Sequence, residues 1–216
     1  MYMTNYDDAS ISVIATASST VLTTVPVQDR PLGVAITPDG AVAYVTNQES
    51  SSVSVIDIGT NTVSATIPVG VGPYFGPAVF PDGHFVYVPN AGGPVSVIDV
   101  ASNSVIKNIT AVVHPDSVAF TPNGRFAYVT NQVSRTVSVI NTVTGTVQAN
   151  IPVGIDPAGI AITEDGEYAY VANYNSNTVS VIDTKKNIVV ATIPVPANPL
   201  GVAITHRIRK RHSACD

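Results

Sequence analysis

Five residues stand immediately before a recurring proline: Arg30, Gly72, His114, Asp156 and Asn198. The segment that follows each proline is nearly constant, while this position changes type. A guanidinium, an imidazole, a carboxylate and an amide brought to one set of loops would suit recognition of a polar ligand. Drift at an exposed loop position would give the same variation. One loop departs further: Gly70–Pro77 carries an extra residue and brings in Tyr74 and Phe75. An aromatic pair there would stack on a sugar or another planar ligand, or else pack against the neighbouring unit. His114, Asp116 and Asp156 are the residue types of a general-base or metal cluster. They come from adjacent loops, one histidine and two aspartates. The chain has no Gly-x-Ser-x-Gly, no His-Glu-x-x-His, no phosphate loop and no EF-hand loop. No catalytic residue, metal ligand or cofactor is therefore assigned, and a haem or quinone motif is absent. The binding candidates are Arg30, Tyr74, Phe75, His114, Asp116, Asp156 and Asn198. Asn108-Ile109-Thr110 matches a glycosylation acceptor, a three-residue pattern common by chance.

The elements that must position these residues repeat. Tyr44-Val45-Thr46-Asn47 returns at Tyr87, Tyr128 and Tyr170, and a first copy opens the chain at Tyr2. Ile11, Val53, Val95, Val137 and Val179 open Ile-Ser-Val-Ile and then four Val-Ser-Val-Ile strings, 42 residues apart at each step. A fixed period in the low forties, built of short strands, predicts a β-propeller, as in WD40-like arrays. Each unit reads as four strands. Asp39-Gly40, Asp82-Gly83, Asn123-Gly124 and Asp165-Gly166 mark the first hairpin turn. Asp57, Asp99, Asn141 and Asp183 end the third strand and read as turn formers that accept from nearby backbone amides.

Residue size predicts the order from axis to rim. First strands hold Gly33 and Ala35, Ser117 and Ala119, Gly159 and Ala161, Gly201 and Ala203. Small side chains fit where blades converge. Fourth strands hold Pro26, Pro68, Pro152 and Pro194, and proline, lacking a donor, belongs on an edge. The N-terminus supplies three strands of a blade, and Gly201–Thr205 supplies a lone first strand. Pairing of Gly201–Thr205 with Tyr2–Asn5 would close five four-stranded antiparallel blades by mixing the termini. The alternative is a segment of a larger propeller. Residues 1–205 are read as one domain of ~42-residue repeats, and residues 206–216 as a basic, disordered tail.

Hydrophobic residues are 45% and charged residues only 12% of the chain, about half the usual charged share. Residues 1–206 hold six basic and fourteen acidic side chains, a net of −8. Such a body argues against binding nucleic acid. No apolar run is long enough to span a bilayer, no signal peptide precedes the first repeat, and the sole cysteine, Cys215, allows no internal disulfide.

The Tyr-Val-Thr-Asn, Val-Ser-Val-Ile-Asp and Ile-Pro-Val-Gly strings, recurring in one period over residues 1–205, resemble the YVTN-type β-propeller repeat family. The resemblance implies a propeller, often of seven blades, of the kind common in archaeal surface-layer and bacterial exported proteins. It also implies an extracellular or cell-surface location, to which the Ser/Thr/Asn-rich composition adds. It transfers no catalytic residue, because the shared motif is structural. The expected function is non-enzymatic: a monomer used for surface structure or for binding a protein, peptide or carbohydrate at the loop face around the central channel. The alternative is a hydrolase or lyase using ionisable residues at that mouth.

Overall fold

The computed structural model describes residues 1–110 and 112–205. All of its regular structure is β, with no helix among the described residues. The first sheet holds β1 (Tyr2–Asn5), β2 (Ser10–Ala15) and β3 (Thr20–Pro26). The second holds β4 (Pro31–Ile36), β5 (Val42–Asn47), β6 (Ser52–Asp57) and β7 (Thr62–Pro68). The third holds β8 (Ala78–Val79), β9 (Phe85–Pro89), β10 (Val95–Asp99) and β11 (Ser104–Ile109). The fourth runs from β12 (Pro115–Phe120) through β13 (Phe126–Asn131) and β14 (Thr136–Asn141) to β15 (Thr146–Pro152). The fifth runs from β16 (Pro157–Ile162) through β17 (Tyr168–Asn173) and β18 (Thr178–Asp183) to β19 (Ile188–Pro194). Within each sheet the strands pair antiparallel in chain order, as the blades of a β-propeller do.

The repeated strings have distinct jobs in each blade. In β6 both faces are buried, from Val53 to Ile56, because a blade lies between two others. Ser54 therefore sits in the core, and the motif Asn47 satisfies it through Nδ2 at 3.0 Å. The motif threonine staples the channel side: Thr46 Oγ1 receives the Gly33 amide at 2.9 Å and donates to the Tyr74 carbonyl of the next blade at 3.0 Å. The motif tyrosine reaches across blades, with Tyr128 donating to Asn187 Oδ1 at 2.6 Å. The turn role of the third-strand carboxylates holds, since Asp57 Oδ1 accepts from the Thr60 amide at 2.8 Å. Proline ends four of the five outer strands, where no further partner strand needs its donor.

The core is four apolar layers, each between two consecutive sheets. At the axis, consecutive inner strands touch backbone to backbone. A Cβ at Gly159 would stand 2.6 Å from the Leu200 carbonyl oxygen, and one at Gly33 would overlap Phe75 O. That contact is why first strands are built of small residues.

The expected closure does not form. The first sheet has three strands, and no bond links residues 201–205 to β1 among the described residues. Instead the Gly159 amide donates to the Leu200 carbonyl at 2.9 Å. That contact mirrors the Gly76 amide on the Asp116 carbonyl between the third and fourth blades. Leu200–Val202 thus lies along the last blade as the inner strand of a further blade would. The chain follows its own repeat to that point and does not cross back to the first sheet. Residues 206–216, expected as a tail, lie outside the described residues.

Candidate functional site

The loops before the inner strands and the loops between second and third strands open at one end of the channel. Every residue before the recurring proline has a left-handed backbone: φ is 53° at Arg30, 64° at Gly72, 55° at His114, 53° at Asp156 and 57° at Asn198. At all but Asn198 its carbonyl accepts from the amide just after the motif asparagine, as Gln48 to Arg30 at 2.9 Å and Gln132 to His114 at 3.1 Å. These five residues therefore share one backbone geometry while their side chains diverge.

Arg30 joins a chain of polar groups on one side of the mouth. Its Nε lies 2.8 Å from Glu49 Oε2, its Nη1 donates to Tyr6 Oη at 3.1 Å, and its guanidinium lies over the Tyr6 ring. Tyr6 in turn donates to Gln48 Oε1 at 3.1 Å. The hydrogen bond to Tyr6 and the charge of Glu49 both raise the Arg30 pKa. Across the mouth Asp116 is 2% exposed, and Gln132 Nε2 donates to its Oδ2 at 2.6 Å. Burial pushes the Asp116 carboxyl up to about 6, against the lowering effect of that bond. Tyr74 lies between the two groups. Burial and the nearby Asp116 charge raise its pKa, while Gln132 acts the other way. Tyr74 and Phe75 meet edge to face at 5.0 Å, so the pair packs on itself. Phe75 also remains 42% exposed.

Phe75 separates two cavities. One, of about 500 Å³, is lined by Thr4, Tyr6, Pro31, Leu32, Gln48, Tyr74 and Phe75. The other, of about 290 Å³, is lined by Phe75, Gly76, Asp116 and Ser117, then Ala158–Ile160 and Leu200–Val202. Tyr74, Phe75 and Asp116 thus line the channel cavities, and Arg30 reaches them through Tyr6. The other three candidates stand apart. His114 lines a separate cavity of about 400 Å³ with Gly92 and Val113. Asp156 accepts from Asn175 Nδ2, and Asn198 donates to the Tyr174 carbonyl at 3.4 Å. His114, Asp116 and Asp156 face three different sets of partners. No group of three metal-ligating side chains gathers among the described residues.

Two positions add residues beyond the sequence-based candidates. One is the position after the motif asparagine: Tyr6, Gln48 and Gln132. The other is the position after the proline, which reads Leu32, Tyr74, Asp116, Ala158 and Leu200 and so adds Leu32, Ala158 and Leu200 to the two already named. Both vary from repeat to repeat, as the pre-proline position does. Aligning the repeats at these two positions would have found them.

Residues 79–203, more than half of the chain, match the family described as "Cytochrome D1 heme domain". Among solved structures, the hydrazine synthase of Kuenenia stuttgartiensis superposes with TM-score 0.58 at 23% identity, over 93% of this chain and 84% of that one. A functionally unknown protein from Desulfotomaculum acetoxidans superposes with TM-score 0.84 at 19% identity, over 94% and 68%. The dihydro-heme d1 dehydrogenase NirN, in complex with DHE, superposes with TM-score 0.74 at 19% identity, over 92% and 44%. At these identities the likeness is one of fold. No curated protein matches the chain.

Proposed function

The chain belongs to the cytochrome D1 heme domain family, and from the geometry of the mouth we propose a non-enzymatic propeller that binds its ligand over Phe75. The observation that carries this reading is the pair of cavities flanking one exposed aromatic ring. Each combines apolar walls with a polar edge: Gln48 and Tyr6 on one side, Asp116 on the other. A ring or planar group stacks on Phe75, and hydroxyl or amide groups meet Gln48 and Asp116. Peptide and carbohydrate ligands offer that combination. The separation of His114, Asp116 and Asp156 supports recognition over turnover. The YVTN-type reading of the repeats and a location outside the cell or at its surface belong to the same proposal, resting on motif and composition.

The family description favours a second reading, a haem-type macrocycle at the mouth. The described lining residues do not fit axial ligation of iron. Haem iron is held by His, Cys, Met or Tyr. His114 faces another cavity, and His84 sits beside Asp82 at the turn on the opposite end of the strands. Tyr6 and Tyr74 remain. Burial of Tyr74 beside Asp116 raises its pKa and opposes the phenolate that ferric iron would take. Arg30 is already engaged by Glu49 and Tyr6. The mouth suits an organic ligand held by stacking and hydrogen bonds better than it suits an axially ligated metal.

A glycan and peptide binding screen of the intact protein against Tyr74→Ala with Arg30→Ala tests the proposal. Ligands of the parent should be lost by the double variant, and equal binding would show that the mouth is wrongly assigned. Titration with ferric protoporphyrin is the second arm. A saturable Soret shift that Tyr74→Ala abolishes would favour the haem reading. A turnover abolished by His114→Ala would favour an enzyme.

A further inference from the structure

Three side chains break the repeat where the third blade meets the fourth. The turn after the inner strand opens with threonine in three blades. Thr37, Thr121 and Thr163 each donate through Oγ1 to the Asp or Asn oxygen two residues on, at 2.6, 2.8 and 2.6 Å. The third blade has Phe80 there, held by the same backbone bond, from its amide to the Phe85 carbonyl at 2.8 Å. Lys107 is the second departure. It pairs with Val97, where Ala65, Ala149 and Ala191 pair with Val55, Val139 and Val181 in their own blades. Gly145 is the third. It stands in the outer turn of the fourth blade, where other blades place Asn61, Asn103 and Asn187 with the same left-handed backbone. Those asparagines accept from the motif tyrosines Tyr2, Tyr44 and Tyr128 of the preceding blades, at 2.8, 3.5 and 2.6 Å. Tyr87 meets the glycine instead, and its hydroxyl has no hydrogen-bond partner among the described residues. A Cβ at Gly145 would overlap Lys107 Nζ, so the ammonium occupies the place from which those asparagine side chains spring. Nζ donates to the Thr144 carbonyl at 2.7 Å. It has no carboxylate within ion-pair reach among the described residues.

Phe80, Tyr87 and Lys107 line one cavity of about 400 Å³ together with Phe85, Ile106 and Val143. It lies at the end of the strands away from the mouth and shares no residue with the cavities beside Phe75. Its aromatic wall is braced. Phe80 meets Phe85 at 6.1 Å and Phe120 at 5.2 Å, and Phe120 meets Tyr87 at 4.9 Å, all edge to face. Asp82, at the edge, is already engaged: its Oδ1 accepts from the His84 amide at 2.9 Å and lies 3.1 Å from the imidazole. We propose that this cavity is a second binding site, for a small organic acid with an aromatic body. The ring lies against Phe80 and Phe85. The carboxylate receives the Lys107 ammonium and the Tyr87 hydroxyl, one oxygen standing where asparagine Oδ1 stands at the other interfaces. Burial raises the Tyr87 pKa, so the hydroxyl remains a donor at neutral pH. A cationic ligand would meet the unpaired Lys107 charge and be repelled.

The test titrates the full chain with 1-naphthoate and with its methyl ester. The chain has no Trp, so naphthoate fluorescence reports binding directly. Saturable binding of the acid is expected, with the ester at least about tenfold weaker because it lacks the charge that Lys107 meets. Two variants return the site to the pattern of the other blades. Lys107→Ala removes the ammonium, and Gly145→Asn fills its place and gives Tyr87 an acceptor. Each should weaken naphthoate binding at least about tenfold, and each installs a residue that its position already holds in other blades. Amide chemical shifts should move at Phe80, Phe85 and Thr144 on titration. Shifts confined to Tyr74–Gly76 would overturn the proposal in favour of the mouth. Equal binding of acid and ester, equal binding by both variants, or no saturable binding up to about 1 mM would overturn it outright.

Discussion

Asp116 shows how one residue ties the mouth to the stability of the fold. It is nearly inaccessible, one neutral amide is its side-chain partner, and burial holds its carboxyl at about 6. An unfolded aspartate titrates near ~3.9. Between those values the folded chain keeps a proton that the unfolded chain has lost, so stability from this group falls as pH rises and levels off above about 6. The full effect is about 2–3 kcal/mol. The turn carboxylates work in the opposite sense. Hydrogen bonds from neighbouring residues lower the pKa of Asp39, Asp57, Asp99, Asp165 and Asp183. Their contribution is lost only as pH falls through those depressed values. Urea unfolding of Asp116→Asn and the parent should separate the two effects. The variant should equal the parent near pH 4 and exceed it by about 1–3 kcal/mol at pH 7. Equal stability at both pH values would show that Asp116 is solvated in solution.

At the scale of strands, the inner edge decides how closely blades approach. Gly159 is where β16 donates to the Leu200 carbonyl, and a Cβ there would meet that oxygen at 2.6 Å. Gly159→Val should cost about 1–3 kcal/mol, as overpacking does, and should open the cavity wall formed with Leu200. A melting temperature unchanged from the parent would show that Leu200–Val202 is not seated there. The insertion at Phe75 is the other departure at this scale. It shortens the inner strand of the third blade to β8 (Ala78–Val79). It also makes Gly76 bridge in parallel to Ser117. One extra residue thus trades ladder length for an exposed ring between two cavities.

The whole molecule is a row of like units held by nearest-neighbour layers. In such an array the terminal units have one interface each and the inner units two, so protection should fall toward the ends. Amide hydrogen exchange at low concentration should be slowest in β9, β10, β13 and β14. It should be fastest in β1, none of whose residues is buried, and in β19, whose side chains are largely uncovered. Uniform protection from the first sheet to the last would contradict a row of units with free ends.

The 42-residue period, the identity of each strand and the chemistry of each turn were legible in the residues because they are local. Asp57 accepts from the Thr60 amide three residues on, and Asn47 reaches Ser52 and Ser54 across a single hairpin. Such contacts are short in sequence, and their pattern recurs. The small residues of the inner strands likewise announced a crowded axis. The rotation from one blade to the next was not legible. It arises from packing of Tyr, Val and Ile layers between sheets, and it decides whether Gly201–Thr205 reaches β1. The period makes that segment equivalent to an inner strand and leaves open which sheet it serves. The same holds for the mouth. Pre-proline variation grouped Arg30 with His114, Asp156 and Asn198, whose side chains settle on other partners. Only the tertiary structure brings Tyr6, Gln48, Tyr74, Asp116 and Gln132 together, because they come from separate segments of the chain that meet only where the blades converge.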